Sequence, residues 1–549
     1  MDKFYKIYCN GKEMEFKEGT TFKEISTFFE KDYQYPILGV KANEDFLDLS
    51  STITKDSEIC FFTKADEYGN KIYTKSARFI LILAVKRVFG SRAHVIVVHS
   101  QDRGMYFVIT GTREISNSEK LLNEEFKKIV ENDYLFTRLT VSRLEAINFF
   151  SKKKMEDKAN MLKYISNTYI NLYRLDNVYD YFYGKMAYST SQIDLFEIKK
   201  LGGGYVLKLP TTYSPDKLSV EIKHSKLQDI FFQAVDFSTS INVKNVSELN
   251  YRVSLGKFQD IILMSEAFYD RQLMDVADEI IKKKARVILL AGPSSSGKTT
   301  SAKKLSIFLR TKGYNTISIS LDDYFTDLDK RKRLPDGSYD FESINAVDTK
   351  LFESQIKALL AGEEVNLPHY DFEKGVSAFR KNTTKINKND VIVVEGLHAL
   401  NDSLATNVED KYKFKIYISP LSSICIDYHN PIHVTDIRKL RRIVRDFRSR
   451  GLGALETLSM WDDIQKGELE NIYPYQNNVD AAINSSLSYE LGVLKTYAEP
   501  LLYSIKESDV EYPEALRLIN FLNNFLPIPS DDIPNDSVIR EFIGGSCFK

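Results

Sequence analysis

Nine consecutive residues at 292–300 have the types and spacing of a phosphate-binding loop. In the segment Gly292-Pro293-Ser294-Ser295-Ser296-Gly297-Lys298-Thr299-Thr300, the first eight residues fit the pattern G-x-x-x-x-G-K-[ST] at every position. Glycine permits backbone angles, and a close approach to phosphate, that a Cβ atom would forbid. We expect Lys298 to reach the β- and γ-phosphates and the Thr299 hydroxyl to ligate Mg²⁺. The loop therefore predicts that ATP, or another nucleoside triphosphate, binds here together with Mg²⁺.

Carboxylates follow two apolar segments that read as strands. Asp322 and Asp323 close NTISISL, and Glu395 closes VIVV. In a doubly wound sheet, ligands bind beyond the carboxyl ends of the strands, so these side chains are expected beside the loop. Asp322 can accept the proton of an attacking hydroxyl or hold Mg²⁺ through water, and Glu395 can support the same ion. The alternative is that the aspartates only cap or turn the chain.

A cluster of six arginines lies within thirteen residues: Arg438, Arg441, Arg442, Arg445, Arg448 and Arg450. Their spacing is helical, so several guanidinium groups share one face. Such a face can close over phosphates, where arginine binds with two parallel hydrogen bonds and offsets charge at the transferring group. The alternatives are a solvated basic helix or a helix that binds RNA phosphates.

The elements that must position these residues form an alternating pattern from about residue 266. The strands RVILLAG, NTISISL, VIVVEG and KFKIYIS alternate with the helical segments SAKKLSIFLRTKG and LFESQIKALLAG. Short apolar strands alternating with helices predict an α/β domain with a parallel sheet covered on both faces. Residues 1–64 are instead rich in strands, with a hairpin turn at Asn10-Gly11. Residues 65–265 mix strands with helices, of which ARFILILAVKRVF reads as buried.

Composition bounds what the chain can be. Its 549 residues exceed one core, so two to four domains are expected. The 75 basic and 76 acidic residues leave a net charge of −1, which provides no overall field for nucleic acid or anionic membrane. The four cysteines form no CxxC pair and predict free thiols. No leader and no apolar run of about 18 residues is seen, so a cytoplasmic location is expected.

Together these segments resemble the uridine kinase and phosphoribulokinase family. LDDYF at 321–325 is similar to the family segment D-S-[FY]-Y, which implies that Asp322 is the general base. Tyr339-Asp340 resembles [FY]-D-H-P, which implies that Asp340 binds the ribose hydroxyls. PHYDF at 368–372 is similar to P-x-Y-D-F, which implies that Tyr370 and Phe372 line a nucleoside pocket.

The same resemblance extends to the arginine cluster and includes departures from the family pattern. RRIVRDFRSRG at 441–451 resembles the lid segment R-R-x-x-R-D-x-x-x-R-G, which implies lid roles for Arg442, Arg445 and Arg450. Gly375 replaces a base-reading histidine, Leu452 replaces an arginine, and the segment after Asp340 is longer than H-P-x-A. The resemblance thus supports triphosphate chemistry and leaves recognition of the base open.

The N-terminal half resembles other domains. Residues 1–64 are similar to a TGS domain, a small ubiquitin-like α+β fold, and residues 65–215 to the editing domain of threonyl-tRNA synthetase. The four positions that carry editing ligands in that family hold Lys75, Phe79, Phe182 and Met186. Because phenylalanine and methionine cannot replace the family's metal-binding or water-activating side chains, the resemblance implies an editing fold without editing chemistry. The predicted domains are therefore 1–64, 65–265 (including a linker) and the kinase domain at 266–549.

The resulting prediction is an ATP- and Mg²⁺-dependent kinase that phosphorylates a nucleoside 5′-hydroxyl, most simply of uridine or cytidine, with Lys298 and Asp322 as catalytic residues. One alternative is a kinase for another hydroxyl substrate, such as a sugar phosphate or a pantothenate-like molecule. Another is a regulator associated with RNA or the ribosome that uses ATP as a switch, because TGS domains suggest RNA partners. No membrane partner is expected, and the oligomeric state is left open.

Overall fold

The computed structural model describes residues 3–43, 45–101, 104–218, 226–331, 333, 343–371 and 374–548. Within these ranges, every helix is too short or too polar to cross a lipid bilayer. Asp340 and Phe372, two of the residues predicted to bind substrate, lie outside the described residues.

A small mixed sheet comes first. Its elements are β1 (Phe4–Cys9), β2 (Lys12–Lys17), α1 (Phe22–Ser26), β3 (Gly39–Ala42), β4 (Asp45–Leu47) and β5 (Ser57–Phe62). The strand order is β2-β1-β5-β3-β4, with β1 parallel to β5 and the other pairs antiparallel. Asn10 (φ +49°) and Gly11 (φ +74°) form the predicted two-residue turn, because both adopt left-handed angles. Helix α1 packs Phe22 and Ile25 against the sheet, so the predicted small α+β fold is confirmed.

The connection from this sheet to the next helix is short and closely packed. Strand β5 ends at Phe62, and α2 begins at Glu67. Asp66 Oδ2 accepts hydrogen bonds from Thr63 N at 2.7 Å and Thr63 Oγ1 at 3.0 Å. A Cβ atom at Gly69, in the first turn of α2, would stand 1.9 Å from Thr63 O, so only glycine fits there.

The middle of the chain wraps two antiparallel sheets around α2. The elements are α2 (Glu67–Phe89), β6 (His94–Gln101), β7 (Gly104–Thr110), α3 (Ser118–Glu131), β8 (Thr137–Ser142), α4 (Arg143–Lys152), α5 (Glu156–Leu162), β9 (Tyr169–Leu175), β10 (Val178–Tyr181), β11 (Glu197–Leu201) and β12 (Gly204–Lys208). The sheet orders are β10-β9-β8 and β11-β12-β7-β6. As predicted for ARFILILAVKRVF, residues 79–85 of α2 are all buried.

Three helices, α6 (Lys226–Ser240), α7 (Val246–Ser254) and α8 (Gln259–Lys283), lead into the last sheet. The predicted domain boundary between 265 and 266 falls inside α8. Tyr269 and Leu273 of α8 pack into the same core as Leu305 and Ile416, so this helix belongs structurally with the last sheet. The three domain ranges themselves stay predictions.

The C-terminal half contains the parallel sheet. Its elements are β13 (Val287–Ala291), α9 (Lys298–Thr311), β14 (Thr316–Ser320), α10 (Thr349–Leu360), β15 (Pro368–Asp371), β16 (Val376–Phe379), β17 (Val391–Glu395), β18 (Lys413–Ser419), β19 (Cys425–Asp427), β20 (Asn430–Pro431), α11 (Val434–Ser449), α12 (Ala454–Ser459), α13 (Trp461–Asn471), β21 (Ala481–Asn484), α14 (Glu490–Leu502), α15 (Tyr512–Leu522) and α16 (Arg540–Ile543). Five strands pair in the order β14-β17-β13-β18-β21, all parallel. Separate hydrophobic cores cover the two faces, which confirms the predicted α/β fold.

A buried ionic network joins the middle of the chain to the C-terminal half. Lys158 of α5 has a fully buried side chain, and its Nζ lies 2.6 Å from Asp427 Oδ1 and 3.0 Å from Asp180 Oδ1. His429 Nδ1 lies 2.5 Å from Asp180 Oδ2. Burial alone would lower the pKa of Lys158, but Asp180 and Asp427 raise it above its ordinary value, so the amine stays charged.

A second ionic cluster connects α2 with α11 and α15. Lys439 Nζ lies 2.5 Å from Glu514 Oε1 and 3.4 Å from Glu67 Oε1. Arg517 bonds both oxygens of Asp436, at 2.5 and 3.0 Å. Since Glu67 is the first residue of α2, while Asp436 and Lys439 lie in the first two turns of α11, these contacts tie the two helices together.

We predict that Lys158→Met destabilises the junction by about 3–5 kcal/mol, because it leaves Asp180 and Asp427 buried without their cation. The measurement is urea unfolding followed by the fluorescence of Trp461, the single tryptophan of the chain. Trp461 is buried against Lys439 and therefore reports on the junction. Lys163→Met, which removes an exposed lysine directly after α5, is the matched control and should change little. Equal midpoints for the two variants would contradict the assignment.

Candidate active site

The phosphate loop connects the end of β13 to the start of α9 and needs unusual backbone angles at two positions. Gly297 has φ +86° and Ser295 has φ +60°. A Cβ atom at Gly292 would lie 2.2 Å from Ile418 O on the neighbouring strand β18, so this position also requires glycine. Lys298 Nζ donates hydrogen bonds to Gly292 O at 3.0 Å and Pro293 O at 3.2 Å, so its ammonium lies across the loop.

Two buried arginines of α11 hold the outer side of the loop. Arg438 Nε donates to Ser294 O at 2.8 Å, and Arg441 Nη1 donates to Ser295 O at 3.4 Å. Both side chains are almost fully buried, and each has a carboxylate partner: Glu468 for Arg438 and Glu490 for Arg441. Sequence reasoning placed both arginines in the cluster but gave them no separate role, and it missed both glutamates.

Glu468 also contacts the loop itself. Its Oε1 accepts a hydrogen bond from Ser294 N at 2.8 Å, so one carboxylate of α13 contacts both the loop and Arg438. Glu468 is completely buried. The glutamate comes from a separate helix about 170 residues after the loop, and no local pattern marks it, so only the fold reveals the contact.

The three predicted lid arginines converge on Asp446. Arg442 Nε lies 3.1 Å, Arg445 Nη2 2.7 Å and Arg450 Nε 3.6 Å from its carboxylate. Arg442 Nη1 also donates to Ser294 Oγ at 2.6 Å, which brings its guanidinium to the loop. Asp446 is fully buried, whereas the Arg450 side chain is half exposed. The three arginines therefore surround one buried carboxylate and extend from it to the surface.

Asp322 and Glu395 come together beside Lys298. Asp322 lies in a short 3₁₀ turn directly after β14, and Glu395 ends β17 next to it. Burial, followed by repulsion from Asp322, raises the pKa of Glu395 to about 7. Water reaches Asp322, yet the surrounding protein displaces enough solvent to raise its pKa, while Lys298 and Arg450 act in the opposite direction. Burial also lowers the pKa of Lys298, although the two carboxylates oppose that change.

Asp323, adjacent to Asp322 in sequence, has a different environment. Its Oδ1 lies 2.9 Å from His369 Nδ1, and its Oδ2 accepts from Arg380 Nη2 at 2.8 Å. These partners belong to the hairpin β15–β16 and the residue that follows it. The structure therefore gives the two aspartates separate tasks: Asp322 faces Lys298 and Glu395, while Asp323 holds the hairpin.

The predicted magnesium ligands Thr299 and Glu395 are close to one another. Thr299 Oγ1 donates to Glu395 Oε1 at 3.4 Å, and Ser320 Oγ donates to the same oxygen at 3.0 Å. Nowhere among the described residues do three or more His, Cys, Asp or Glu side chains gather as a metal site. A hydroxyl and one carboxylate fit Mg²⁺, which usually takes few protein ligands and completes its shell with phosphates and water.

On the predicted substrate side, Tyr370 is buried between Phe325 and Arg331. Its ring lies 5.7 Å from that of Phe325, and the Arg331 guanidinium lies 5.0 Å from the Tyr370 ring centre. Gly375, where the resemblance expected a histidine, has φ +67°, and a Cβ atom there would stand 2.1 Å from Leu328 Cδ1. With this backbone no side chain fits at position 375. The absence of the histidine that the resemblance expected therefore follows from the conformation of the turn.

Three of the four editing-ligand positions of the N-terminal half share one hydrophobic core. The rings of Phe79 and Phe182 lie 5.0 Å apart, and Met186 Sδ accepts a hydrogen bond from Ser76 Oγ at 3.6 Å. All three side chains at the altered positions 79, 182 and 186 are buried in the hydrophobic core. Burial and the nearby Arg78 and Arg517 lower the pKa of the remaining one, Lys75, to about 7.

Comparisons with known proteins find different relatives for the two parts of the chain. Residues 287–488 match the model of the phosphoribulokinase / uridine kinase family. The uridine kinase of Halobacterium salinarum is 32% identical over 162 residues, which cover 30% of this chain and 63% of that protein. The uridine kinase of Saccharomyces cerevisiae is 28% identical over 259 residues, which cover 46% of each.

The N-terminal region is similar to threonine–tRNA ligases. The enzyme of Caldanaerobacter subterraneus subsp. tengcongensis is 28% identical over 198 residues, which cover 36% of this chain and 31% of that protein. This chain therefore spans about a third of the length of that ligase and less than two thirds of either uridine kinase.

The variant Glu395→Gln tests whether the folded chain keeps a proton on the Glu395 carboxyl up to a pH of about 7. The pKa of Glu395 in the folded chain, about 7, exceeds the ordinary value of 4.5, so the folded chain binds this proton more tightly than the unfolded chain. The resulting stabilisation is full below pH 4.5 and is lost as the pH rises to about 7. We expect the wild-type Tm in metal-free buffer to fall more steeply over this interval than that of Glu395→Gln, as measured by calorimetry. Parallel curves would show that Glu395 is ionised throughout.

Proposed function

We propose that this chain transfers the γ-phosphate of ATP to the 5′-hydroxyl of a nucleoside, uridine or cytidine, because residues 287–488 match the model of the phosphoribulokinase / uridine kinase family. One observation carries the proposal: the phosphate loop, Lys298, Asp322 and Glu395 meet at the carboxyl ends of neighbouring parallel strands. That is where open α/β sheets bind their ligands. The uridine kinases among the relatives support the acceptor class.

In the proposed reaction, the nucleoside hydroxyl oxygen attacks the γ-phosphorus while its proton passes to Asp322. The new O–P bond forms as the bond between the γ-phosphorus and the β,γ-bridging oxygen breaks, and ADP leaves with the electron pair. A raised pKa makes Asp322 a better proton acceptor than an ordinary aspartate. Lys298 and the arginines around Asp446 offset the charge on the phosphate oxygens.

Thr299 and Glu395 would hold the magnesium ion of the nucleotide. Bound there, Mg²⁺ neutralises charge on the β- and γ-phosphates. The pKa of about 7 means that Glu395 gives up its proton near neutral pH, which is what a metal ligand must do. The positive charge of Lys298 favours the ionised form as well.

The glycine at position 375 bears on how the proposed kinase would select a base. A buried polar contact to a base edge discriminates strongly, because the wrong base leaves a partner unpaired. Gly375 cannot carry such a contact, and Asp323 engages both His369 and Arg380. We therefore propose that recognition of the ribose persists while discrimination between bases is weak. The second acceptor class, a sugar phosphate or pantothenate-like alcohol, follows if nucleosides prove inactive.

For the N-terminal half, we propose a binding role toward RNA and no editing activity. The similarity to threonine–tRNA ligases supports an RNA partner. The apolar packing of Phe79, Phe182 and Met186 supports the loss of hydrolytic chemistry, since none of them can activate water. Salt-dependent binding of tRNA by the full chain, without deacylation of mischarged threonyl-tRNA, is the outcome expected of this role.

Asp322→Asn should lower kcat by roughly 10²-fold or more, with little change in ATP affinity, because it removes the proton acceptor. Asp323→Asn is the matched control: it removes an equal charge one residue away, but from the β15–β16 hairpin, and should change kcat by less than about tenfold. The measurement is steady-state kinetics with a coupled ADP assay. The reverse ranking of the two variants would assign the base to Asp323.

A substrate panel tests the acceptor. We expect phosphorylation of uridine and cytidine, slower turnover of 2′-deoxyuridine, and measurable turnover of adenosine and guanosine, compared as kcat/KM with Mg-ATP. Lys298→Ala should abolish turnover of every acceptor, which separates this activity from a contaminating kinase. A sharp preference for one base would show a rebuilt base pocket. Activity on sugar phosphates or pantothenate alone would replace the nucleoside proposal.

A further inference from the structure

The chain returns to the phosphate loop after α15. Residues 537–548 pack along the loop and the first turn of α9, where a Cβ atom at Gly297 would stand 2.5 Å from Val538 Cγ2. The Arg441 guanidinium, which holds the loop from the other side, lies 4.9 Å from the Phe542 ring centre. This segment follows the region matched by the family model, which ends at 488.

Glu541 of this segment binds the loop directly. Its Oε2 accepts hydrogen bonds from Thr300 N at 3.1 Å and from Thr300 Oγ1 at 2.7 Å. The amide of Thr300 lies in the first turn of α9, where N–H groups lack partners within the helix. Such amides are the ones that a phosphate loop offers to the α- and β-phosphates of a nucleotide. Glu541 therefore places a carboxylate where the loop is built to receive a phosphate.

A cavity of about 290 Å³ opens beside this contact. Three basic residues of α9 and α11 and two aromatic residues of the 537–548 segment are among those that line it: Lys303, Arg445, Arg448, Phe542 and Phe548. Thr299, Thr300 and Glu541 line the same cavity. Cations next to a phosphate loop suit phosphate oxygens, and the partly exposed ring of Phe548 suits the flat face of a base, whereas the Phe542 ring is fully buried.

The backbone around Glu541 is held independently of its side chain. Arg540 Nη2 donates to Ser530 O and to Ile533 O, both at 2.7 Å. Gly544 has φ +87°, and a Cβ atom there would stand 1.8 Å from Arg448 Nη1, so the turn closes tightly over that arginine. Rotation of the Glu541 side chain is therefore enough to free Thr300, without unfolding of the segment.

We propose that this cavity takes the base-proximal half of the donor nucleotide and that Glu541 competes with its phosphate for Thr300. The inference rests on the proposed function, because it concerns the nucleotide site of that kinase. Glu541 must release Thr300 before a phosphate binds there, since two anions cannot share one amide and repel one another at this distance. The segment 537–548 is thus both a wall of the donor site and a built-in competitor that lowers nucleotide affinity.

The test measures ADP and ATP binding to the full chain by isothermal titration calorimetry. Glu541→Gln keeps the shape and removes the charge, and Glu541→Ala removes the contact. We expect both variants to bind ADP roughly tenfold more tightly than wild type, the scale of one charge-assisted hydrogen bond. Asp532→Asn, which removes an exposed carboxylate from the preceding loop, is the matched control and should leave affinity unchanged. Circular dichroism identifies which variants are folded, and either folded Glu541 variant decides the outcome.

The possible results distinguish a failure of this inference from a failure of the proposed kinase function. Nucleotide binding by wild type that is lost in Lys298→Ala, with unchanged or weaker binding in the Glu541 variants, would overturn the competitor and leave the kinase proposal intact. Binding by the Glu541 variants but not by wild type would support the competitor most strongly. An absence of binding in wild type and both Glu541 variants would overturn the nucleotide site and, with it, the competitor.

Discussion

The candidate site depends on two guanidinium groups that satisfy the outer carbonyls of the phosphate loop. A loop that turns its amides toward an anion turns carbonyls away from it, and buried carbonyls need donors. Arg438 and Arg441 supply these donors to Ser294 O and Ser295 O, with Glu468 and Glu490 balancing their charge. Without them, the carbonyls of Ser294 and Ser295 would lose these donors. The helix that bears these arginines is therefore a structural support of the loop, and it also carries two of the cationic side chains that surround Asp446.

The same helix brings the N-terminal half close to the phosphate loop. At its start, Asp436 and Lys439 contact residues of α15 and α2. Arg442, six residues after Asp436, donates to Ser294 Oγ. At 1.5 Å per residue, the two contacts are separated by about 9 Å of helix. A partner that alters the packing of α2 acts on an element that directly contacts the phosphate loop, which gives the fusion of these domains a physical rationale.

The sequence was most informative where structure follows local rules. The glycine spacing at 292–297 and the apolar strands ending in Asp322 and Glu395 each depend on a few neighbouring residues, so their elements could be predicted. Which arginines of α11 become buried depends on what packs against each face, and helical spacing alone does not decide it. Glu468 and Glu541 reach the loop from far along the chain, and only tertiary packing brings them there. Gly375 seemed a lost base contact, whereas its left-handed angle and Leu328 explain the glycine locally.

The connection between β5 and α2 has a mechanical consequence. Only four residues separate the two elements, Asp66 fastens Thr63 by two hydrogen bonds, and Gly69 lets the helix start in contact with the strand's exit. Such a joint resists bending. A displacement of the first sheet would therefore move α2 with it. Through the ion pair between Glu67 and Lys439, the same displacement would act on α11. The small N-terminal sheet and α2 are therefore better regarded as one rigid unit than as two modules joined by a flexible linker.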